Sequence, residues 1–196
     1  MLICKKLLEL EEKEIPVTPG VYVVCWIREG NRVVIPRIMG IDRAGVLYIG
    51  STKNLKSRLK NLKRYVINAL RVARGEVTTT KEYKHTLALS LLYTGLTKKI
   101  SENELLVYYK IFSDEKEARI QEALALYEYT KRYGEPPPLN LNIARHRLLI
   151  LDVGMIDKSI ITERLDSELA NILSLDKTVM IKGYRVEDNP SSLNTF

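Results

Sequence analysis

The chain of 196 residues has only two cysteines, Cys4 and Cys25. A single pair 21 residues apart cannot build the disulfide framework of a small secreted protein and makes no metal site by itself, so both read as buried or incidental thiols. No apolar stretch approaches the roughly 18 residues of a membrane span. The opening MLICKKLLELEEKEIP is charged too early for a signal peptide and lacks a small-residue cleavage pattern, so the expected location is cytoplasmic. Internal repeats and low-complexity segments are missing too. The two histidines, His85 and His146, stand alone, and neither is assigned a catalytic role. What remains is a chain long enough for one compact domain with its own core.

A more local lack points toward function. From Lys53 to Arg74 there is no acid, while eight basic residues occur: Lys53, Lys56, Arg58, Lys60, Lys63, Arg64, Arg71 and Arg74. Acids gather instead at Glu9 to Glu14 and at Asp114 to Glu117, within a net charge of +7. A positive stripe of this kind attracts polyanions and gives salt-dependent affinity for phosphate backbones. The plainer alternative is the solvated face of a basic helix. Lys53, Lys56, Lys60, Lys63 and Arg64 are the residues expected to meet nucleic acid.

Turn chemistry at Val17-Thr18-Pro19-Gly20 launches VYVVCWI, a β-rich run. Glu29-Gly30-Asn31-Arg32 reads as a hairpin turn into VVIPRIM, a strand expected at an edge because Pro36 lacks a ladder donor. Asp42-Arg43-Ala44-Gly45 turns again into VLYIG. The period then changes: Leu55, Leu59, Leu62, Val66 and Leu70 recur at helical spacing, with Ser51 or Thr52 expected to cap the start. A helix in KEYKHTLALSLLYTG, a strand in ELLVYYKIF and a helix opening at Ser113 should follow, the last running through EARIQEALALYEYTKRY to Gly134.

On this reading Tyr22 of "GVY" and Tyr48 of "YIG" share one sheet, and Gly50 lets the backbone turn sharply into the helix that carries Arg58. Two phenols and a guanidinium converge. Taken in order, "GVY", "YIG", "STKNLKSRL", "EARIQEALAL" and "PPPLN" resemble the GIY-YIG nuclease family over roughly residues 16 to 142, with "LYIGSTKNLKSRL" the most specific part.

The resemblance implies a small α/β (α+β) domain, a central three-stranded antiparallel sheet flanked by helices, that hydrolyses phosphodiester bonds in DNA with one divalent metal, Mg²⁺ or Mn²⁺. By position it makes Tyr22 the residue that activates water, Tyr48 its support, Arg58 the residue that steadies the phosphate, and a helix glutamate the metal ligand. Asn140 matches the family's asparagine and would bond a phosphate or fix a side chain of the site; a turn residue after the proline run is the alternative.

Elementary chemistry stands beside the resemblance. A phenol with a pKa near 10 becomes a base near neutrality only where cations favour the phenolate. A planar guanidinium fits two phosphate oxygens at once and keeps its charge. Mg²⁺ needs only one or two protein carboxylates.

Three glutamates lie on the helix. At about 100° per residue, Glu117 and Glu128 fall in a polar sector, whereas Glu122 lies between Ala118, Leu126 and Tyr129. A carboxylate on an apolar face is costly unless paired or coordinated, so Glu122 is the expected ligand. Glu128 precedes Asn140 by the dozen residues usual in the family and is kept as the second candidate, an insertion around TKRYGEPP accounting for the spacing. One helical turn after Arg58, where relatives often carry histidine or tyrosine, stands Leu62; Tyr65 lies on the same side but roughly 10 Å further along.

Residues 1–15 read as an N-terminal segment, 16–142 as the domain, and 143–196 as an extension with strand-like LLILDV, an amphipathic helix in IITERLDSELANIL and strand-like TVMIKGYRV. The extension is expected to read the target, form a dimer surface or cover the sheet. The long spacer between Tyr22 and Tyr48 holds Arg28, Arg32, Arg37 and Arg43, which are expected to touch DNA. One active site cuts both strands of a duplex only in two events or in two subunits, so a homodimer is a geometric expectation. Two alternatives to a DNA endonuclease stay open: a binding module of the same fold that no longer cuts, favoured by Leu62, and an enzyme acting on RNA.

Overall fold

The computed structural model of the chain describes residues 2–77, 86–141 and 164–175, with the backbone of 181–182 and 185–186. Strand β1 (Leu2–Lys6) lies at one edge of a sheet whose centre is β2 (Gly20–Arg28). After β2 come β3 (Asn31–Arg32), β4 (Ile35–Arg37), β5 (Gly40–Asp42), β6 (Val46–Thr52) and β7 (Leu105–Ile111). β7 pairs with β2 on one side and with β1 on its own far side, while β6 and β3 pair with β2 on the other, all antiparallel. β2 suits the central position because its β-branched and aromatic side chains fill both faces.

The mixed α+β class agrees with expectation, but the sheet has five strands rather than three. The N-terminal segment supplies one of the additional strands, Leu2 standing opposite Lys110 and Lys6 opposite Leu106. VVIPRIM does not enter the sheet. Its β4 pairs only with β5, and this ribbon is held against the end of a later helix: Met39 N–H donates to Tyr133 O at 3.0 Å, and the Arg37 guanidinium lies 3.2 Å from Glu135. Pro36 and these anchors together explain the detachment.

Four helices complete the described chain: α1 (Leu55–Ala73), α2 (Thr86–Tyr93), α3 (Glu115–Tyr133) and α4 (Ser167–Ile172). α1 is capped not by Ser51 or Thr52 but by Asn54, whose side chain accepts from Ser57 N–H at 3.0 Å. α3 is capped by Asp114 and ends at Gly134, which takes the left-handed φ of 76°. Leu55, Leu59, Leu62, Val66 and Leu70 of α1 pack on the sheet face that carries Tyr22, Val24, Val107 and Tyr109. Ala118, Ala125, Leu126 and Tyr129 of α3 pack on the opposite face with Val21, Val23, Cys25 and Ile49. Leu169, Ile172 and Leu173 join that second core, so residues 164–175 of the extension cover the α3 side of the sheet.

Lys110 ties this segment down through Asp166 at 2.6 Å and Glu168 at 2.5 Å. The backbone of Ile181–Lys182 (β8) pairs with Arg185–Val186 (β9). LLILDV, His85 and His146 lie outside the described residues. Cys25 is buried, its thiol pushed up to about 12 by burial, while Cys4 is exposed. Among the described residues no helix is long and apolar enough to cross a membrane.

Candidate functional site

Register brings the two tyrosines together. Tyr22 stands opposite Gly50 and Tyr48 opposite Val24, so both phenols rise from the α1 face of neighbouring strands. Their rings stack with centroids 6.0 Å apart and planes 26° apart. Gly50 lies inside β6 without a positive φ, so it is not the sharp turn expected. It is glycine for want of room: a Cβ there would lie 2.7 Å from Tyr22 Oη and 2.8 Å from Tyr48 Cε1.

Tyr22 is 1% exposed and Tyr48 3%. Burial pushes the Tyr22 phenol well above its ordinary range, and the Tyr48 phenol beside it adds to the rise. The Arg58 guanidinium pulls the other way, and the Glu122 carboxylate pushes up again. Three side chains, from β6, α1 and α3, thus bear on the hydroxyl that β2 carries. Arg58 is half-buried and makes no ion pair among the described residues.

Glu122 is 2% exposed and accepts a hydrogen bond from Ser51 Oγ. Ser51 was expected only as a helix cap; strand alternation is the signal that places it on the α3 side, one residue beyond Gly50. Glu128 is half-buried and is not among the charges acting on Tyr22. Glu117 serves the start of α3, accepting from Ser113 N–H at 3.0 Å and Ser113 Oγ at 2.6 Å. Among the described residues no three His, Cys, Asp or Glu side chains cluster as a metal cage. The Glu122 carboxylate and the Ser51 hydroxyl beside it are oxygen donors, the type a hard divalent cation takes, so their chemistry is compatible with a cation of the Mg²⁺ class.

Asn140 is fully buried, and its amide serves the backbone of Ile49: Oδ1 accepts from Ile49 N–H at 3.0 Å and Nδ2 donates to Ile49 O at 2.8 Å. With Leu139 N–H donating to Leu47 O at 2.9 Å, the PLN segment lines the outer edge of β6 as a strand would. Asn140 thereby fixes the strand that carries Tyr48 and Gly50. Asp42 fixes its start, accepting from the backbone of Ala44, Gly45 and Val46 and from Tyr129 Oη at 2.8 Å.

Leu62 is core, and Tyr65 belongs to a separate cluster with Ala69 and Ala88, its hydroxyl accepting from Arg64 at 2.9 Å. The basic stripe is divided. Lys60 pairs with Glu12 at 2.8 Å, and Lys63 Nζ donates to Leu8 O at 2.6 Å and Leu10 O at 3.0 Å. Lys53 and Lys56, beside Arg58, make no ion pair among the described residues. Of the spacer arginines, Arg28 is held by Glu104, Arg32 by Tyr108 and Ala44 O, and Arg37 by Glu135; Arg43 is exposed. The first three are occupied within the fold.

Comparison of this chain with known protein families, with curated proteins and with solved structures found no match.

Proposed function

We propose that the chain is a metal-dependent endonuclease that hydrolyses phosphodiester bonds in DNA, as its resemblance to the GIY-YIG nucleases implies. The observation that carries this reading is the stacked Tyr22–Tyr48 pair, whose Tyr22 phenol feels the charges of Arg58 on α1 and Glu122 on α3. A packed core has no use for a guanidinium and a buried carboxylate around a phenol pair.

Each residue has a task that its chemistry suits. Arg58, on the second turn of α1, would grip two oxygens of the scissile phosphate. Lys53, just before the Asn54 cap, and Lys56, in the first turn of α1, would hold the flanking backbone. Tyr22 would orient the attacking water, with Tyr48 fixing the phenol through the hydrogen bond between them. Burial keeps Tyr22 protonated at neutral pH in the free protein, so acceptance of the water's proton relies on positive charge arriving at the site. Glu122 would hold the cation, with the Ser51 hydroxyl behind it. A hard divalent cation supplies Lewis-acid charge beside the phosphodiester. Asn140 keeps β6 in place and acts through Tyr48 and Gly50.

The second reading is a nucleic-acid-binding module of the same fold that does not cut. Leu62 in the core and the raised Tyr22 phenol favour it.

A time course on supercoiled plasmid separates the two readings, comparing Mg²⁺ with EDTA and wild type with Glu122→Ala and Tyr22→Phe. Nicking that needs metal and Glu122, with turnover falling far more than affinity in Tyr22→Phe, supports the nuclease. Plasmid that is retarded in a salt-sensitive way but never cut supports the binder. A matched RNA substrate, cleaved in preference to DNA, would move the assignment to RNA.

A further inference from the structure

Consecutive residues of β6 serve opposite faces of the sheet. Gly50 stands opposite Tyr22, under the phenol, whereas Ser51 stands opposite Val21, a residue of the core shared with α3. From that side the Ser51 hydroxyl donates to Oε2 of Glu122. We propose that Ser51 is a positioning residue for Glu122, fixing the carboxylate in the orientation that holds the divalent cation. The inference rests on the reading of Glu122 as the cation's ligand.

Three observations carry it. A carboxylate only 2% exposed has lost nearly all its water, and the charge-assisted O–H···O⁻ bond from Ser51 returns part of that solvation in an orientation-specific way. The neighbouring hydroxyl, Thr52 Oγ1, is committed to the backbone of Asn54, accepting from its N–H at 3.1 Å, and Asn54 itself caps α1. Ser51 is thus released from the capping task its place in the sequence suggests. The strand that holds it is also immobilised on both edges, by β2 and by the Asn140 amide, so its short side chain presents the oxygen at a fixed point. Partners that orient a metal-binding side chain typically contribute a factor of about 10 to 100 in metal affinity.

The test is a Mn²⁺ titration of the full chain without DNA, reading free Mn²⁺ by electron paramagnetic resonance, at a temperature where circular dichroism shows every variant folded. The variants are Ser51→Ala, Ser51→Thr and Glu122→Gln. The proposal expects loss of the site in Glu122→Gln, affinity weakened about tenfold or more in Ser51→Ala, and recovery to within about threefold of wild type in Ser51→Thr. A purely structural serine would lower the melting temperature of Ser51→Ala and leave Mn²⁺ affinity alone. Affinity within twofold of wild type in Ser51→Ala, with binding lost in Glu122→Gln, overturns the role of Ser51 and leaves the ligand standing. Binding that is absent in wild type, or unchanged in Glu122→Gln, overturns the ligand assignment and the role of Ser51 together.

Discussion

Gly50 passes so close beneath Tyr22 that a methyl group on its Cα would lie 2.7 Å from the phenol oxygen. The same methyl would meet the Tyr48 ring at 2.8 Å, so one atom would drive the stacked pair apart. Overpacking of this kind costs about 1 to 3 kcal/mol. Gly50→Ala should therefore remain folded, lose stability by that amount in a urea titration, and lose nicking activity by about a hundredfold or more while still retarding DNA. Wild-type turnover in Gly50→Ala would separate the tyrosine pair from the chemistry.

The Asn140 amide makes both of its bonds to one backbone unit, giving to Ile49 O and taking from Ile49 N–H. An aspartate of the same shape keeps the acceptor and sets a carboxylate oxygen against the carbonyl. Leaving a buried backbone group unsatisfied costs roughly 1 to 3 kcal/mol, so Asn140→Asp and Asn140→Ala should both lower the denaturation midpoint, with the aspartate at least as harmful at neutral pH. Hydrogen exchange at the Ile49 amide reads the effect directly: its protection should fall before that of Val107 in the adjoining strand pair. Equal loss at both amides would mean that Asn140 supports the whole sheet and not the tyrosine strand in particular.

How much of this was legible beforehand follows the range of each interaction. β2, α1 and α3 show themselves through periodicity, because a buried face repeats every two or three to four residues. Tyr22, Tyr48 and Arg58 were singled out by the family resemblance of the short motifs that hold them, and Glu122 by its place on an apolar helix face. The edge strand β1 carries no such mark, since KK and the acids that follow hide it. Its partner is also far away in sequence, Leu2 standing opposite Lys110. The acid-free run in α1 seemed wholly open to solvent because Glu12, Leu8 and Leu10 come back to it only in the fold. The Ile35–Asp42 ribbon, with residues 35–37 paired to 40–42, is held by the end of α3, an anchor that strand pattern alone cannot disclose.

Alkaline pH should undo the fold through its phenols. Burial raises the pKa of Tyr22 and Tyr129, and raises that of Tyr108 to about 12. The folded state then holds those protons more tightly than the unfolded chain, whose phenols titrate near 10. The stability they contribute is fully present below about pH 10 and is lost as pH rises through the folded values. The urea midpoint should be flat from about pH 7 to 8, begin to fall at about 9 as the buried Cys25 thiol adds its share, and fall steeply above about 10, with part of the tyrosinate absorbance at about 295 nm appearing only as the near-ultraviolet dichroism collapses. Complete ionisation with the dichroism intact would refute the burial of these rings.

Lys60 meets Glu12 at 2.8 Å with both side chains about half exposed, 53% and 51%. An ion pair in that setting contributes under about 1 kcal/mol, so Glu12→Gln should leave stability within about half a kcal/mol of wild type. The same change releases the positive charge of Lys60, one helical turn beyond Lys56, where a phosphate backbone would lie. Each lysine newly engaged with a phosphate steepens the dependence of log affinity on log salt by about one. DNA binding by Glu12→Gln should therefore tighten a few-fold at low salt and show that steeper slope, whereas Lys60→Ala should match wild type, its charge having been neutralised already. Lys63→Ala should behave differently again, lowering stability through the Leu8 and Leu10 carbonyls it leaves without their donor. An unchanged salt slope in Glu12→Gln would place nucleic acid away from this helix and leave Arg58 facing the site without the stripe behind it.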